Sequence, residues 1–301
     1  MPRVRWTTPV ILELADRRQL AVNLSGDEGG SPVFFLHGTP GSRLSVPREE
    51  LLRELGVWLI SFDRPGYGRS DRKEARTVAD VAPDVKAIAN WLGVEKFAVL
   101  GRSGGGPHAL ACAALLPDLV TRAAALVSLA PMKVPGLNWF GGMAESNVIS
   151  YTMAAKQQLT LLRKRFGEYA EAIAADPGSH LDVLSPEMPE ADRQIMSDIE
   201  IRKRLEHSFA EAVRNSVDGW IDDVLAFCSP WDFDPSGIDV PVMLWHGNRD
   251  VFSPVAHTRW LGNRIRNAYI EIQPDHAHFG ALGAVKDALS WLSGSLAGRR
   301  P

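Results

Sequence analysis

Ser103 sits in Gly101-Arg102-Ser103-Gly104-Gly105, between the apolar run Phe97 to Leu100 and an Ala/Leu-rich stretch that Pro107 opens and Pro117 closes. The pattern predicts a strand, a tight turn and a helix. Glycine stands on both sides of the serine because such a turn strains its central residue and leaves almost no room beside it. The turn presents the serine as an exposed nucleophile, and N–H groups at the helix start point at any anion formed next to it. A serine hydroxyl does little at neutral pH until a base takes its proton and an acid fixes the tautomer of that base. Later strand ends supply both: Asp250 follows the apolar run Val240 to Trp245, and His276 and His278 follow Tyr269 to Ile272.

The elements that must position these groups are legible as alternating apolar runs. Val10 to Leu14 and Gln19 to Leu24 read as a hairpin, followed by strands over Val33 to Leu36, Val57 to Phe62, Phe97 to Leu100 and Ala123 to Leu129. Helices are expected over Glu49 to Leu55 and over Val81 to Leu92, the latter with Asp80 as N-cap and Gly93 as stop. Another helix begins near Ser253 and Pro254, and a closing helix runs to about Leu296. Strands apolar along their whole length, alternating with helices, imply a mostly parallel twisted sheet covered on both faces, with chemistry at the carboxyl ends of its strands. The alternation stops near Pro131 and resumes at Val240. The intervening stretch is too long for a structureless loop. It reads as an inserted helical cap over 132–235, with helices over Tyr151 to Phe166, Glu190 to Val217 and Trp220 to Phe227, leaving 1–131 and 236–301 as the core.

Composition narrows the function classes. The 301 residues are 45% hydrophobic and 23% charged, with a net charge of −3, so there is no basic footprint for nucleic acid. No apolar run is long enough to span a bilayer, and the first twenty residues, broken by Glu13 and Asp16, lack a signal-cleavage pattern. Cys112 and Cys228 read as buried apolar residues on helices, in keeping with a reducing cytoplasm. No metal-ligand spacing is present, and no cofactor is implied.

Taken together, His37-Gly38-Thr39-Pro40-Gly41, Asp63 to Ser70, Gly101 to Gly105, His246 to Asp250 and Ala277-His278-Phe279 resemble the successive motifs of the α/β-hydrolase superfamily, in its capped esterase, lactonase and peptidase-like members. The resemblance implies Ser103 as nucleophile, Asp250 as acid and His278 as base, with the backbone N–H groups of Thr39 and Gly104 as oxyanion hole. The chain departs from the family in having Ala277 where glycine usually precedes the base. His278 is preferred to His276 because the following aromatic fits the family's pattern. The resemblance implies hydrolysis of a small to medium, largely apolar ester or lactone through an acyl-enzyme. Carbon–carbon bond hydrolysis and aminopeptidase activity on the same residues stay open, as do a ligand-binding receptor and a biosynthetic cyclase or acyltransferase.

Other residues have quieter readings. Asp63 and Arg64 suit a salt-bridged turn, His37 and His246 backbone hydrogen bonds after their strands, and His108 a hydrogen-bonded core position. His207 and His257 show no partner pattern. Arg102, beside the nucleophile, suits a substrate carboxylate or an ion pair pinning the cap to the core, with the ion pair preferred. Trp139, Phe140, Met143, Trp220 and Phe252 are candidate pocket walls.

Overall fold

A computed structural model describes residues 9–294. The first eight residues of the stretch weighed above as a leader, and the expected extension of the last helix to Leu296, lie outside the described residues.

Eight strands form one sheet in the order β1-β2-β4-β3-β5-β6-β7-β8. They are β1 (Val10–Glu13), β2 (Gln19–Gly26), β3 (Ser31–Leu36), β4 (Val57–Phe62), β5 (Phe97–Arg102), β6 (Val120–Leu126), β7 (Val242–Gly247) and β8 (Ala268–Gln273). The hairpin β1–β2 is antiparallel and β2 joins β4 antiparallel; β3 to β8 pair in parallel. Parallel strands need crossovers, and helices α1 (Glu49–Glu54), α2 (Val81–Leu92) and α3 (Gly105–Leu115) supply the first of them.

Strand side chains alternate between two cores. Phe34, Leu36, Phe97, Val99, Ala123 and Leu244 face a cluster shared with α2 and α3. Val33, Phe35, Ala98, Leu100, Ala124 and Met243 face the other side, where Leu52 of α1 also lies. β6 ends at Leu126 rather than at Leu129, because Val127 turns out of the sheet with φ 46°. Asp80 occupies the N-cap position of α2 without bonding the helix; its carboxylate takes the Thr77 N–H at 2.7 Å and Lys73 Nζ at 2.6 Å instead.

Between β6 and β7 run six helices: α4 (Glu145–Ala155), α5 (Leu159–Ala175), α6 (Ser179–Leu184), α7 (Glu190–Met196), α8 (Ile199–Ala212) and α9 (Asp218–Cys228). Two runs expected as single helices are broken. Gln157, at φ 55°, separates α4 from α5. Asp198 starts α8 afresh by accepting the Glu200 and Ile201 N–H groups at 2.9 and 3.2 Å. The short α6 had no expected counterpart. Beyond β7 come α10 (Ala256–Gly262) and α11 (Ala281–Leu292). α10 begins three residues later than Ser253, whose hydroxyl donates instead to Val127 O at 2.9 Å. α11 packs on the second cluster through Val285, Ala288 and Leu289.

A third cluster joins Ile173, Leu181, Met196, Leu205 and Phe209 of the insertion to Phe252 and Phe279, which follow β7 and β8. Cys112 and Cys228 are buried on α3 and α9, and burial pushes the Cys228 thiol up to about 12. Among the described residues no helix is long and apolar enough to cross a membrane.

Candidate active site

The sheet order places the site. β3 and β5 are neighbours, but the chain leaves β3 towards β4 on one side and β5 towards β6 on the other. The loops therefore diverge and leave a crevice at the carboxyl ends of these two strands. Into it open the 37–41 loop after β3 and Ser103 after β5.

Ser103 adopts φ 55°, a strained value for a residue with a side chain. The turn tolerates no Cβ on either flank: one at Gly101 would lie 2.1 Å from Gly105 O, and one at Gly105 would lie 2.0 Å from Leu36 O. The strain is held by hydrogen bonds from Ser103 N to Leu126 O and from Gly106 N to Ser103 O, both 2.8 Å. A Cβ at Gly104 would sit 2.2 Å from Thr39 Oγ1, so the two loops close on each other. Among the described residues the backbone N–H groups of Thr39 and Gly104 have no acceptor.

The histidine and its carboxylate come from the next two strand ends. Asp250 Oδ1 accepts the N–H groups of Phe252 and Ser253 at 2.8 and 3.0 Å, which aims Oδ2 at His278 Nδ1, 2.8 Å away. A carboxylate only accepts, so Nδ1 carries a hydrogen, and Nε2 is the ring nitrogen left to exchange a proton. Burial alone would raise the Asp250 pKa. The charge of His278 and hydrogen bonds from His246 and His278 outweigh it and hold the carboxyl far below its ordinary value. His276 is exposed and packs edge-on against Trp245 at 5.9 Å; it has no part in this arrangement.

Ser103 and His278 line one pocket of about 90 Å³. Ser103 Oγ makes no hydrogen bond among the described residues. Such contacts often tighten only around substrate. Of the expected walls, Trp220, Phe252 and Arg102 line this pocket, whereas Trp139, Phe140 and Met143 do not. Trp139 stands behind Tyr151, edge to face at 4.9 Å, with its Nε1 bonded to Ala130 O at 2.8 Å. Tyr151, Tyr169, His180 and Phe209 add aromatic lining from the insertion, beside Phe279 from the loop after β8. Those of the insertion come from four helices whose mutual placement has no sequence signal. Burial holds His180 down to about 4, so it is a neutral wall at ordinary pH.

Behind the 37–41 loop lies a buried charge cluster that sequence reasoning missed. Asp223, on α9, accepts from Thr39 Oγ1 at 2.5 Å, Tyr67 OH at 2.8 Å, Arg76 Nη2 at 2.6 Å and Arg64 Nη2. Both residues of the turn are salt-bridged, as expected: Arg64 pairs with the insertion and Asp63 with Arg43 at 2.5 Å. His108 bonds Val78 O and approaches Asp223 at 3.4 Å. His37 donates to Gly38 O at 2.8 Å and accepts the Arg64 N–H. His246 donates through Nε2 to Ser253 O at 2.6 Å. His257 does have partners: it accepts the Ala130 N–H and donates to Trp139 O, each at 3.0 Å. Arg102 is buried yet joins no ion pair among the described residues, so it does not pin the insertion by charge. Burial alone lowers its guanidinium to about 10.

A parallel sheet with a strained serine turn at its switch point, and an aspartate–histidine pair at the next strand ends, defines an α/β-hydrolase architecture. The chain belongs to the alpha/beta hydrolase fold family, whose model matches residues 31–282. It is 31% identical over 140 residues to a proline iminopeptidase from Neisseria gonorrhoeae, a match spanning only 44% of each protein. It is 25% identical over 256 residues to a non-heme haloperoxidase from Rhodococcus erythropolis, covering 83% of this chain and 86% of that one. Among solved structures, it resembles a thermophilic esterase from Thermogutta terrifontis with a TM-score of 0.68 and 19% identity, over 96% of this chain and 98% of the other. The enol-lactonase from Burkholderia xenovorans LB400 aligns with a TM-score of 0.66 and 19% identity, over 95% and 99%.

Proposed function

We propose that the protein is a serine hydrolase that cleaves a small, largely apolar carboxylic ester or lactone through an acyl-enzyme. The observation that carries this reading is the 2.8 Å Asp250–His278 contact, which leaves Nε2 of His278 as the proton acceptor in the pocket it shares with Ser103. Ser103 Oγ bonds to the substrate carbonyl carbon while its proton passes to His278 Nε2. The carbonyl electron pair moves onto oxygen, facing the N–H groups of Thr39 and Gly104, each of which would contribute about 3–4 kcal/mol to the barrier reduction. The C–O bond to the leaving group then breaks, His278 protonates the departing alcohol, and water attacks the acyl carbon by the same path to release the acid and restore Ser103. The helical insertion serves as the cap, supplying Tyr151, Tyr169, His180 and Trp220 to the pocket. The unpaired buried thiols suit a reducing cytoplasm.

The lining favours esters over N-terminal peptide substrates. Among the described residues no carboxylate lines this pocket, so none of them would neutralise a substrate ammonium in it. The test is a fluorophosphonate probe with a panel of acyl esters, lactones and amino-acid anilides. Single labelling of the wild type, lost in Ser103→Ala, with turnover of esters falling on the order of 10⁶-fold in that variant, is the expected result. A folded protein whose Ser103 stays unlabelled would overturn the enzyme reading in favour of a binding role. Preference for prolyl anilides over esters would overturn the substrate class.

A further inference from the structure

Arg102 belongs to two cavities. β5 alternates, and Arg102 falls on the face of Ala98 and Leu100, towards the α1 and α11 layer and away from the core cluster under α3. There it lines a second cavity of about 260 Å³, bounded by the 45–48 loop, α1, α8 and α11. The guanidinium also stays near the nucleophile: an ideal Cβ on Gly38 would lie 3.6 Å from Ser103 Cβ and 3.8 Å from Arg102 Nη2.

The charge in this second cavity is one-sided. Arg48, Arg102, Arg204 and Lys286 line it, no carboxylate does, and none of the four forms an ion pair among the described residues. Arg102 is 6% exposed, and Arg204 Nε is buried without a hydrogen-bond partner. The acids that act on Arg204 are Asp198 and Glu200 at the start of α8, and neither reaches ion-pair distance, while Arg48 opposes its charge. The remaining wall is apolar, with Leu51, Ile201, Leu205 and Val285. Buried guanidinium groups ordinarily have an anion against them, because desolvation without a partner is costly. Here the protein supplies the donors and omits the acceptor.

We propose that this cavity is a binding site for an organic carboxylate with a hydrocarbon body, its head group held by Arg102 and Arg204 and its tail against the apolar wall between α1, α8 and α11. The planar guanidinium fork matches a carboxylate bidentately, and Lys286 and Arg48, both exposed, surround the entrance with further positive charge. The site shares Arg102 with the ester-cleaving pocket but none of that pocket's other lining residues, and its occupancy does not depend on Ser103 being reactive.

The test is calorimetric titration of the full chain with octanoate, octanol and inorganic phosphate at low and moderate salt. It is repeated on the Arg204→Gln/Lys286→Gln double variant, which touches neither Ser103 nor the aspartate–histidine pair, and on Arg102→Gln. The expected result is one octanoate site, weakened by salt, with octanol and phosphate each at least about tenfold weaker and octanoate weakened at least about tenfold in the double variant, whose circular dichroism is unchanged. Wild-type octanoate affinity in the double variant would overturn the proposal by placing the ligand in the other pocket. Equal affinity for octanol would remove the carboxylate, equal affinity for phosphate would remove the hydrocarbon body, and no binding at millimolar octanoate would remove the site. Should Arg102→Gln fail to fold, the double variant alone decides.

Discussion

The carboxylate of Asp192, on α7 of the helical insertion, accepts the backbone N–H of His278 at 3.1 Å. Its other oxygen takes the N–H of Phe279 at 2.8 Å, and the group is fully buried. Burial raises the pKa of Asp192, and the nearby His278 and these two N–H groups only partly offset it. The insertion thus grips the turn that carries the histidine, in addition to lining the pocket above it. Replacing Asp192 by Ala leaves two buried donors unpaired, at about 1–3 kcal/mol each. The expected outcome is a lower unfolding temperature together with a fall in kcat larger than the rise in KM on a short ester, with Asp192→Asn intermediate because its single oxygen keeps one acceptor. A lowered melting temperature with unchanged kcat would confine Asp192 to stability.

Asp223 is the second anchor between insertion and core, and its removal has a different cost. It faces two buried guanidinium groups, Arg64 and Arg76, so Asp223→Ala leaves both buried charges without their carboxylate. Breaking one side of a buried pair is strongly destabilising, on the order of 3–5 kcal/mol. Urea unfolding should show this loss, and Asp223→Asn should recover little of it because the charge is what matters. Thr39→Val, which removes only the hydroxyl bonded to Asp223 at 2.5 Å, is expected to cost no more than about 1–2 kcal/mol of stability in urea unfolding while lowering kcat by loosening the 37–41 loop that is proposed to hold the oxyanion.

Most of the sheet was legible because buried parallel strands are apolar at every position, and the serine turn announced itself through the glycines that its geometry demands. The aspartate and histidine were legible as polar residues in the loops that follow the last two strands, three residues beyond Gly247 and five beyond Gln273. What failed was anything decided by the mutual placement of helices. Trp139 and Tyr151 are equally aromatic, and only the packing of the segment before α4 makes one a support and the other a wall. Asp198 interrupts a helical run with a cap that the surrounding periodicity masks. Asp63 and Arg64 are adjacent in sequence, yet their partners, Arg43 and Asp223, come from other loops and helices.

Three further buried histidines make stability depend on pH. Burial holds His108, His180 and His257 each down to about 4, from an ordinary value of 6.5. Between these values the unfolded chain binds protons that the folded chain refuses, so the stability they contribute is complete above pH 6.5 and is lost as pH falls towards 4. Each histidine contributes a slope of at most about 1.4 kcal/mol per pH unit in that window. Urea midpoints at several pH values should therefore fall on acidification. The slope should be shallower in His180→Phe, where the ring is replaced in an aromatic setting and Nδ1 has no partner to lose. A His180→Phe curve parallel to wild type would show that His180 titrates normally.

On the proposed ester-cleaving reading, Trp220 is expected to set the size of the acyl group that the pocket accepts. Its indole stacks on Phe166 at 4.2 Å with an interplanar angle of 10°, meets His180 edge-on at 5.2 Å, and presents its remaining surface to the pocket. With about 90 Å³ of free space, short acyl chains fit and long ones collide with this rigid wall. Trp220→Ala converts wall into space at a stability cost of about 3–5 kcal/mol. On a series of esters, kcat/KM for the shortest chains is expected to fall by about 10- to 100-fold as apolar contact is lost. That for longer chains should rise, moving the optimum upward. Phe140→Ala and Met143→Ala, which lie outside the pocket, should leave the chain-length optimum in place. An optimum unmoved by Trp220→Ala would mean that the acyl chain leaves the pocket by another route.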